Sequence, residues 1–446
     1  MAWRIVIAGG GFGGFYAART LERVLPTQST RVTLVNDANF MLYTPLLPGA
    51  AGAALDPRHV VVPLRAELRE TELLLGQVIG GEPDARRLTV RPLEGPERAL
   101  PYDHLIVALG SVSRTLPVPG LREHAIGLKS LSEAIALRNR VLRCLDVAEA
   151  IKDPQARAEH LSFVFVGAGY AGLEGLAELQ DFAAHAVKLY PRCREHGMRW
   201  VLVEAKSRVM TEAPESLSSF ATRELRGRGI DIRTDTTLRS VDARSATLSD
   251  AERIPTRTVV WTAGVKPSPA VSSLGLALDE GGRVQVDATM RAQGRSDVWA
   301  IGDAAAVPDP ARRGQPCPPT AQHAIRQGRL VARNVAAELG TGRVRPFRYR
   351  TKGVVADLGQ REAVAVTLGL RWRGLAAWLI ARTYHLLLMP GLGRKLRLLL
   401  DWNVALLFGR ETSELSQLGH PDPLDGSGTH AVTAGDTPEP DAIAPR

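Results

Sequence analysis

Two stretches of the chain share one pattern of apolar and polar positions. Arg4–Gly14 reads RIVIAGGGFGG, and Ser162–Gly172 reads SFVFVGAGYAG. A short apolar run that ends in glycines is typical of a strand buried on both faces of a parallel sheet. We therefore predict strands at Ile5–Ala8 and Phe163–Val166, the first followed by a helix at Phe15–Val24. Two such repeats in one chain predict two nucleotide-binding units.

The first repeat contains a G-x-G-x-x-G turn formed by Gly9, Gly11 and Gly14. In such a turn the first glycine permits the tight bend. The second lets the backbone approach a pyrophosphate, and the third lets the helix pack closely on the strand. The helix N-terminus adds partial positive charge where the anion binds. The next predicted strand ends at Asn36, where a polar side chain can hydrogen-bond a ribose.

The second repeat contains the same turn, with glycines at Gly167, Gly169 and Gly172. An acidic residue, Glu204, follows the next predicted strand, later than usual because residues 188–197 form an insertion. Glu204 would accept hydrogen bonds from a ribose 2′-hydroxyl and repel a 2′-phosphate, which favours NADH over NADPH. Lys206 and Arg208 lie close in sequence and oppose this preference.

Three further strand-to-glycine transitions suggest what the two units bind. Residues 296–304 predict a strand that ends at Gly302 and Asp303, at the start of a helix. Asp303 could bind the ribityl hydroxyls of a flavin while that helix faces the diphosphate. Two other strands end at Gly110 and Gly264 and are expected to connect the units. We predict that a flavin dinucleotide and a nicotinamide dinucleotide face each other, so that hydride transfer needs no protein nucleophile.

These patterns divide the chain into an α/β protein with two Rossmann-like domains. We predict an FAD-binding domain at 1–120 and 270–346 and an NAD(H)-binding domain at 121–269. A C-terminal domain at 347–415 would follow. The tail at 416–446 is rich in Pro, Gly and Asp without apolar periodicity, and is expected to be disordered.

Composition narrows the classes of protein that remain. With 446 residues, 45% hydrophobic and 23% charged, the chain is an ordinary globular protein rather than a collagen or a coiled coil. The net charge of +9 favours an anionic partner, but no recognition-helix or RNP-type signature predicts nucleic-acid binding. The three cysteines, Cys144, Cys193 and Cys317, are too few and scattered for a disulfide framework or a metal site.

The segment from Leu375 to Phe408 predicts two helices, interrupted at Met389–Lys395, that are too short to cross a membrane. Basic residues and tryptophans alternate with leucines there. This combination is typical of helices that lie in a membrane interface. The alternative is a helix pair that packs on the protein or at a homodimer interface.

Several motifs together resemble one known family. They are Asn39–Leu47 (NFMLYTPLL), Gly167–Glu174 (GAGYAGLE), Trp261–Val265 (WTAGV), Ala300–Asp303 (AIGD), Pro319–Ala324 (PTAQHA) and Tyr349–Gly353 (YRTKG). These resemble the type II NADH dehydrogenases, single-subunit NADH:quinone oxidoreductases that do not pump protons. The resemblance implies FAD and NADH as cofactors, a quinone as acceptor, a place in the respiratory chain, and peripheral attachment to the cytoplasmic face of the cell membrane.

The resemblance also implies roles for three residues. Glu174 matches a glutamate near the flavin and nicotinamide rings, Gln322 matches the first glutamine of an AQxAxQ motif beside the quinone, and Lys352 matches a lysine near the flavin.

Three positions depart from the family pattern. Arg326 replaces the second glutamine of AQxAxQ, Thr351 replaces an aspartate, and Asn36 replaces the expected ribose-binding aspartate. Asn36 can still hydrogen-bond a ribose. Arg326 leaves open one alternative, a soluble NAD(P)H-dependent flavoprotein reductase with a non-quinone acceptor. A second alternative is a non-catalytic flavoprotein that binds NADH, because the same folds can bind without turnover.

Overall fold

The computed structural model describes residues 2–312, 314–351 and 353–415. The predicted role of Lys352 and the predicted disorder of residues 416–446 lie outside the described residues. The strands and helices fall into four groups along the chain.

The first group contains nine strands and three helices. The strands are β1 (Trp3–Ala8), β2 (Thr30–Asn36), β3 (Phe40–Leu42), β4 (Val61–Pro63), β5 (Glu72–Glu82), β6 (Arg87–Pro92), β7 (Arg98–Pro101), β8 (His104–Val107) and β9 (Ser111–Ser113). The helices are α1 (Phe12–Val24), α2 (Leu47–Ala51) and α3 (Leu64–Glu67). Helix α1 begins three residues before the prediction, because Gly13 and Gly14 are themselves helical.

The second group contains eight strands and six helices. The strands are β10 (Ala125–Gly127), β11 (Ser162–Val166), β12 (Arg199–Val203), β13 (Ile230–Arg233), β14 (Leu238–Val241), β15 (Ser245–Leu248), β16 (Arg253–Pro255) and β17 (Thr258–Trp261). The helices are α4 (Leu121–His124), α5 (Leu131–Ala150), α6 (Pro154–His160), α7 (Tyr170–Ala186), α8 (Pro191–His196) and α9 (Glu215–Gly227). The predicted insertion after α7 is a 3₁₀ turn followed by α8.

The last two groups complete the described chain. The third consists of β18 (Val265–Pro267), β19 (Val298–Ala300) and α10 (Ala321–Glu338). The fourth consists of β20 (Gly353–Asp357), β21 (Ala363–Thr367), β22 (Leu370–Arg373), α11 (Leu375–Leu388) and α12 (Leu392–Phe408). The break between α11 and α12 falls at Met389–Gly391, where proline and glycine end a helix.

One expectation in this region was wrong. Strand β19 is followed only by a 3₁₀ turn at Gly302–Ala304, and the next α-helix of the described chain starts at Ala321. The intervening residues contain Pro308, Pro316, Pro318 and Pro319, which oppose a helix because proline lacks a backbone donor. No α-helix therefore begins at Asp303.

Two sheets, one mixed and one parallel, form the two halves of the fold. The larger has the order β19-β8-β1-β2-β5-β6-β7, parallel from β19 to β5 and antiparallel from β5 to β7. The smaller has the order β10-β17-β11-β12-β13 and is entirely parallel. Every residue of β8, β11 and β17 is buried, as expected for strands covered on both faces.

Four antiparallel sheets accompany these two, one of them the pair β3-β4. Strands β14-β15-β16 pack on the smaller sheet, and β20-β21-β22 precede the last two helices. The pair β9-β18 crosses between the two halves, with Ser111 opposite Pro267 and Ser113 opposite Val265.

Candidate active site

The two glycine turns have the same geometry. Gly9 and Gly167 both have φ of +103°, a backbone conformation that favours glycine. Asn36 Oδ1 accepts a hydrogen bond from the Gly10 backbone at 2.7 Å, and Glu204 Oε2 accepts one from the Ala168 backbone at 2.7 Å. The side chain that ends each neighbouring strand therefore holds the turn in place.

The remaining glycines of the turns fall into two kinds. A side chain at Gly14 or Gly172 would overlap the carbonyl oxygen of the first glycine of its turn. A Cβ atom added at Gly11 or Gly169 would have no other atom within 4 Å, so these two glycines face open space. The outer surface of each turn is thus free to take a phosphate-bearing ligand, so these residues fit a dinucleotide.

The residues around Glu204 bear on the choice between NADH and NADPH. Lys206 Nζ donates to Thr211 Oγ1 at 2.9 Å. Arg208 donates to three carbonyl oxygens of its own loop, at Met210, Thr211 and Ala213. Both cations are therefore engaged with the protein, which weakens their expected attraction for a 2′-phosphate.

The larger sheet's second contribution to the site is the Gly302–Asp303 turn. Ser111 Oγ donates to Asp303 Oδ2 at 2.5 Å, and Lys129 Nζ donates to Ser111 Oγ at 3.0 Å. Lys129 Nζ also lies 4.0 Å from Asp303 Oδ2. Sequence reasoning missed Lys129. The sequence shows only that Lys129 comes just before Ser130, the N-cap of α5.

The crossing strands begin at the two other predicted glycines. Gly110 and Gly264 have φ of +66° and +95° and directly precede β9 and β18. The Gly110 carbonyl oxygen accepts a hydrogen bond from the Ser268 backbone, and the Gly264 carbonyl oxygen accepts one from the Arg114 backbone. Since β8 neighbours β1 and β17 neighbours β11, the β9-β18 pair joins the edges that carry the two glycine turns.

The start of helix α10 contacts both the Gly302 turn and strand β20. Gln327 Oε1 accepts a hydrogen bond from the Gly302 backbone at 2.8 Å, a role that the sequence did not suggest. Gln322 Nε2 donates to the Gly353 carbonyl oxygen at 3.2 Å, and Gln322 Oε1 accepts from Tyr349 at 2.6 Å.

Glu174 lies at the other end of β20. Its Oε1 accepts a hydrogen bond from the Asp357 backbone at 3.1 Å. Burial raises the pKa of Glu174 to about 8, with added repulsion from Asp357 and Glu178. Gln322 and Glu174 contact opposite ends of the five-residue strand β20, which lie about 13 Å apart along the strand. The structure therefore does not bring these two predicted residues into contact.

A cavity between α7 and the C-terminal helices is lined by Glu174, Asp357 and Arg382 together with prolines and leucines of the 45–55 segment. The Arg382 guanidinium lies over the rings of Trp378 and Trp402, at 4.2 and 4.8 Å from their centroids. It is also 3.9 Å from Asp357 Oδ2. The cavity therefore combines an apolar wall with two carboxyl groups, Glu174 and Asp357, whose pKa values burial raises.

A neighbouring histidine stays uncharged. His385 is 3.4 Å from the hydroxyl of Tyr43, and burial lowers its pKa to about 4, with a contribution from the charge of Arg382. The described residues contain no cluster of His, Cys, Asp and Glu that could hold a metal ion. All three cysteines are buried and none is in a disulfide, and burial raises the pKa of Cys317 to about 11.

This fold and site define a class of protein. A family model described as pyridine nucleotide-disulphide oxidoreductase matches residues 3–328, and the chain belongs to that family. Within it the chain is 32% identical over 422 residues to the type II NADH:quinone oxidoreductase Ndh of Mycobacterium tuberculosis, covering 91% of this chain and 89% of that protein. The resemblance to type II NADH dehydrogenases drawn from the motifs is thereby confirmed.

Two further comparisons extend this finding, one by sequence and one by fold. The demethylphylloquinone reductase NdbB of Synechocystis is 30% identical over 407 residues, covering 90% of this chain and 95% of that protein. The structure of NDH2 from Plasmodium falciparum in complex with NADH covers 93% of this chain and 100% of its own, with a TM-score of 0.86 at 17% identity. The predicted fold class of two dinucleotide-binding domains is confirmed. The membrane role of the C-terminal segment and the roles of individual site residues stay predictions.

Proposed function

We propose that this chain is a non-electrogenic NADH:quinone oxidoreductase that uses FAD. The observation that carries the proposal is the pair of matching glycine turns, each held by a side chain from the neighbouring strand, on edges joined by β9 and β18. Such a pair of sites brings two dinucleotides to one junction. The lack of a cysteine pair argues against disulfide chemistry, since all three cysteines are buried and none is in a disulfide.

The chain offers residues suited to each dinucleotide. Gly11, Asn36 and Asp303 would hold FAD, and Gly169 and Glu204 would hold NADH. Bound FAD would take a hydride from NADH and supply two electrons to an acceptor. The protein contributes position, charge and the exclusion of water.

Reduction of a quinone to a hydroquinone also consumes protons, and the cavity contains a group that can hold one. Because the pKa of Glu174 is about 8, its carboxyl is mostly protonated at neutral pH. Its Oε1 accepts from the Asp357 backbone, so the proton is held at Oε2. Glu174 is therefore suited to give a proton to a ligand in the cavity.

The C-terminal helices are the surface that we assign to the membrane. The described residues include no helix long and apolar enough to span a bilayer. Helices α11 and α12 nevertheless expose many large apolar side chains, among them Leu379, Leu387, Leu392, Leu396, Leu407 and Phe408. A continuous apolar face on amphipathic helices favours an interfacial position. We infer peripheral attachment, at the cytoplasmic face of the cell membrane.

Charge contributes less to this attachment than the basic residues of the segment suggested. Arg382 lies in the cavity, Arg394 pairs with Glu67, and Arg410 pairs with Glu178 at 2.9 Å. These three cations face the protein. Arg371, Arg373 and Arg397 are exposed. Attachment should therefore depend on apolar contact together with a reduced attraction to anionic lipid.

A vesicle experiment tests the surface directly. Leu396→Asp with Leu407→Asp should abolish sedimentation with phosphatidylcholine vesicles, whereas Leu93→Asp, an exposed leucine elsewhere, should not. If the double variant still sediments but changes from dimer to monomer, the apolar face covers a second copy of the chain instead.

The activity is tested by anaerobic titration of the purified, FAD-loaded protein with NADH, followed by addition of a quinone. We expect the visible flavin absorbance to bleach and then to return. A colourless protein that takes up no FAD would refute the proposal. Reduced protein that is reoxidised only by a soluble acceptor would favour a soluble flavoprotein reductase, and reduced protein that is never reoxidised would favour a non-catalytic one.

A further inference from the structure

Arg326 lies between the two parts of the site that the acceptor must reach. The next residue, Gln327, binds the backbone of Gly302 in the flavin-side turn. One turn earlier, Gln322 binds the carbonyl of Gly353 on β20. Tyr384 of α11 lies close enough for the charge of Arg326 to oppose the rise in its pKa that burial causes. Arg326 is thus beside both the flavin turn and the exposed helices.

The positive charge of Arg326 has no counter-charge in the described part of the chain. Its guanidinium stacks on the ring of Tyr349 at 4.0 Å from the centroid, and its Nη1 donates to the Gln322 carbonyl oxygen at 2.9 Å. Both partners are neutral. The neighbouring His323 is held neutral by burial, which lowers its pKa, and the nearby carboxylate of Asp309 is bound to Arg312 at 3.1 Å.

The glutamine on the same helix face is already occupied. Gln322 Oε1 accepts from Tyr349, and Gln322 Nε2 donates to Gly353. The remaining donor capacity at this end of α10 therefore belongs mainly to the guanidinium of Arg326. A partly buried cation whose protein partners are all neutral favours a ligand that brings negative charge, because charge-assisted hydrogen bonds are the strong ones.

We infer that Arg326 forms an anion-binding subsite for the electron acceptor, so that this chain selects quinones that carry an ionised ring hydroxyl. The inference rests on the proposed function, because it deepens the identity of the quinone. Glutamine at this position could hydrogen-bond a neutral carbonyl but could not pair with an oxyanion.

The test compares two probes that share a ring system. 2-Hydroxy-1,4-naphthoquinone is ionised at neutral pH, whereas 1,4-naphthoquinone is neutral. Their dissociation constants are measured on the full-length, FAD-loaded protein without NADH, from the change in flavin absorbance. Arg326→Gln should weaken binding of the anion by about tenfold or more, with little change for the neutral ring. Arg326→Lys should restore part of the loss.

The matched control is Arg329→Gln. Arg329 is on the same helix and stacks on Tyr16 at 4.7 Å, yet plays no part in the proposed subsite. Its removal should leave the binding of both probes unchanged. FAD content and melting temperature show whether each variant folds.

Two results overturn the inference: equal binding of the anion by wild type and Arg326→Gln, or the same loss in Arg329→Gln. Failure of the proposed function is a separate result. If neither probe nor any neutral quinone reoxidises the reduced protein, the activity is wrong, while the binding comparison still decides the role of Arg326.

Discussion

The backbone of Asp357 donates a hydrogen bond to Glu174 Oε1 at 3.1 Å, which ties strand β20 to helix α7 beside the cavity. The contact leaves one oxygen of Glu174 without this partner. Burial raises the pKa values of both carboxyls. Neighbouring negative charge disfavours the ionisation of each carboxyl further. The pair therefore keeps at least one proton at neutral pH, at the wall of the cavity.

Replacing Glu174 tests this proton. Glu174→Gln keeps an oxygen that accepts from Asp357 but cannot titrate. We expect quinone reduction by the wild type to decline as pH rises through about 8, where Glu174 ionises. The variant should be slower by about tenfold to a hundredfold at neutral pH and should lose this decline. Steady-state rates between pH 6 and 10, measured beside the exposed control Glu215→Gln, check both expectations.

The same group affects stability with a defined sign. Because the pKa of Glu174 in the folded chain is above its ordinary value of 4.5, its protonated form stabilises the fold at low pH. That contribution is lost as pH rises from about 4.5 to about 8. Denaturant unfolding should show the wild type losing stability relative to Glu174→Gln over this window. A constant difference between the two proteins would contradict the raised pKa.

The second prediction concerns the choice of coenzyme. Glu204→Gln keeps the acceptor for the Ala168 backbone and removes the charge that repels a 2′-phosphate. We expect the preference for NADH over NADPH, measured as the ratio of kcat/KM values for flavin reduction, to fall by about tenfold. Glu212→Gln, exposed nearby, is the control. An unchanged ratio would mean that another residue selects the coenzyme.

The strands and glycine turns were predictable because their causes are local. An apolar run such as Phe163–Val166 predicts a buried strand, and the strand is buried. A glycine directly after such a run predicts a tight turn, and Gly9 has the positive φ that this turn requires. The missing helix after Asp303 was a failure of the same local reasoning. The Gly-Asp pair resembles a helix start, but the prolines that follow prevent one.

The residues that sequence reasoning missed act through contacts between distant segments. Gln327 reaches Gly302 across 25 positions, and Lys129 reaches Asp303 through Ser111 from the other half of the fold. The sequence also did not show that Arg382, Arg394 and Arg410 face the protein, because their acidic partners lie far away in sequence. A pattern read along the chain does not contain such pairings.

Lys129 supplies the third prediction. A positive charge beside a flavin favours its reduced, more negative form. Lys129→Met should therefore lower the midpoint potential of bound FAD, where about 30 mV corresponds to a tenfold change in the two-electron equilibrium. Spectroelectrochemical titration measures this potential. Lys266→Met, an exposed lysine on the crossing strand β18, should leave it unchanged.

The last prediction concerns a buried ion-pair cluster that joins helix α7 to the end of the C-terminal helices. Asp181 pairs with Arg228 at 2.5 Å and with Arg410 at 3.6 Å, and all three side chains are largely buried. Asp181→Ala would leave Arg228 without its counter-charge in a site where water cannot replace it. Removing one partner of a buried pair costs about 3–5 kcal/mol.

Denaturant unfolding should show that loss for Asp181→Ala. Glu97→Ala removes an ion pair with Arg91 at 2.8 Å, but both side chains are more than half exposed, so its cost should stay below about 1 kcal/mol. Because Arg410 follows α12, we also expect Asp181→Ala to free the C-terminal helices for proteolysis before the two sheets unfold. Equal losses in the two variants would mean that the cluster does not fasten these helices to the fold.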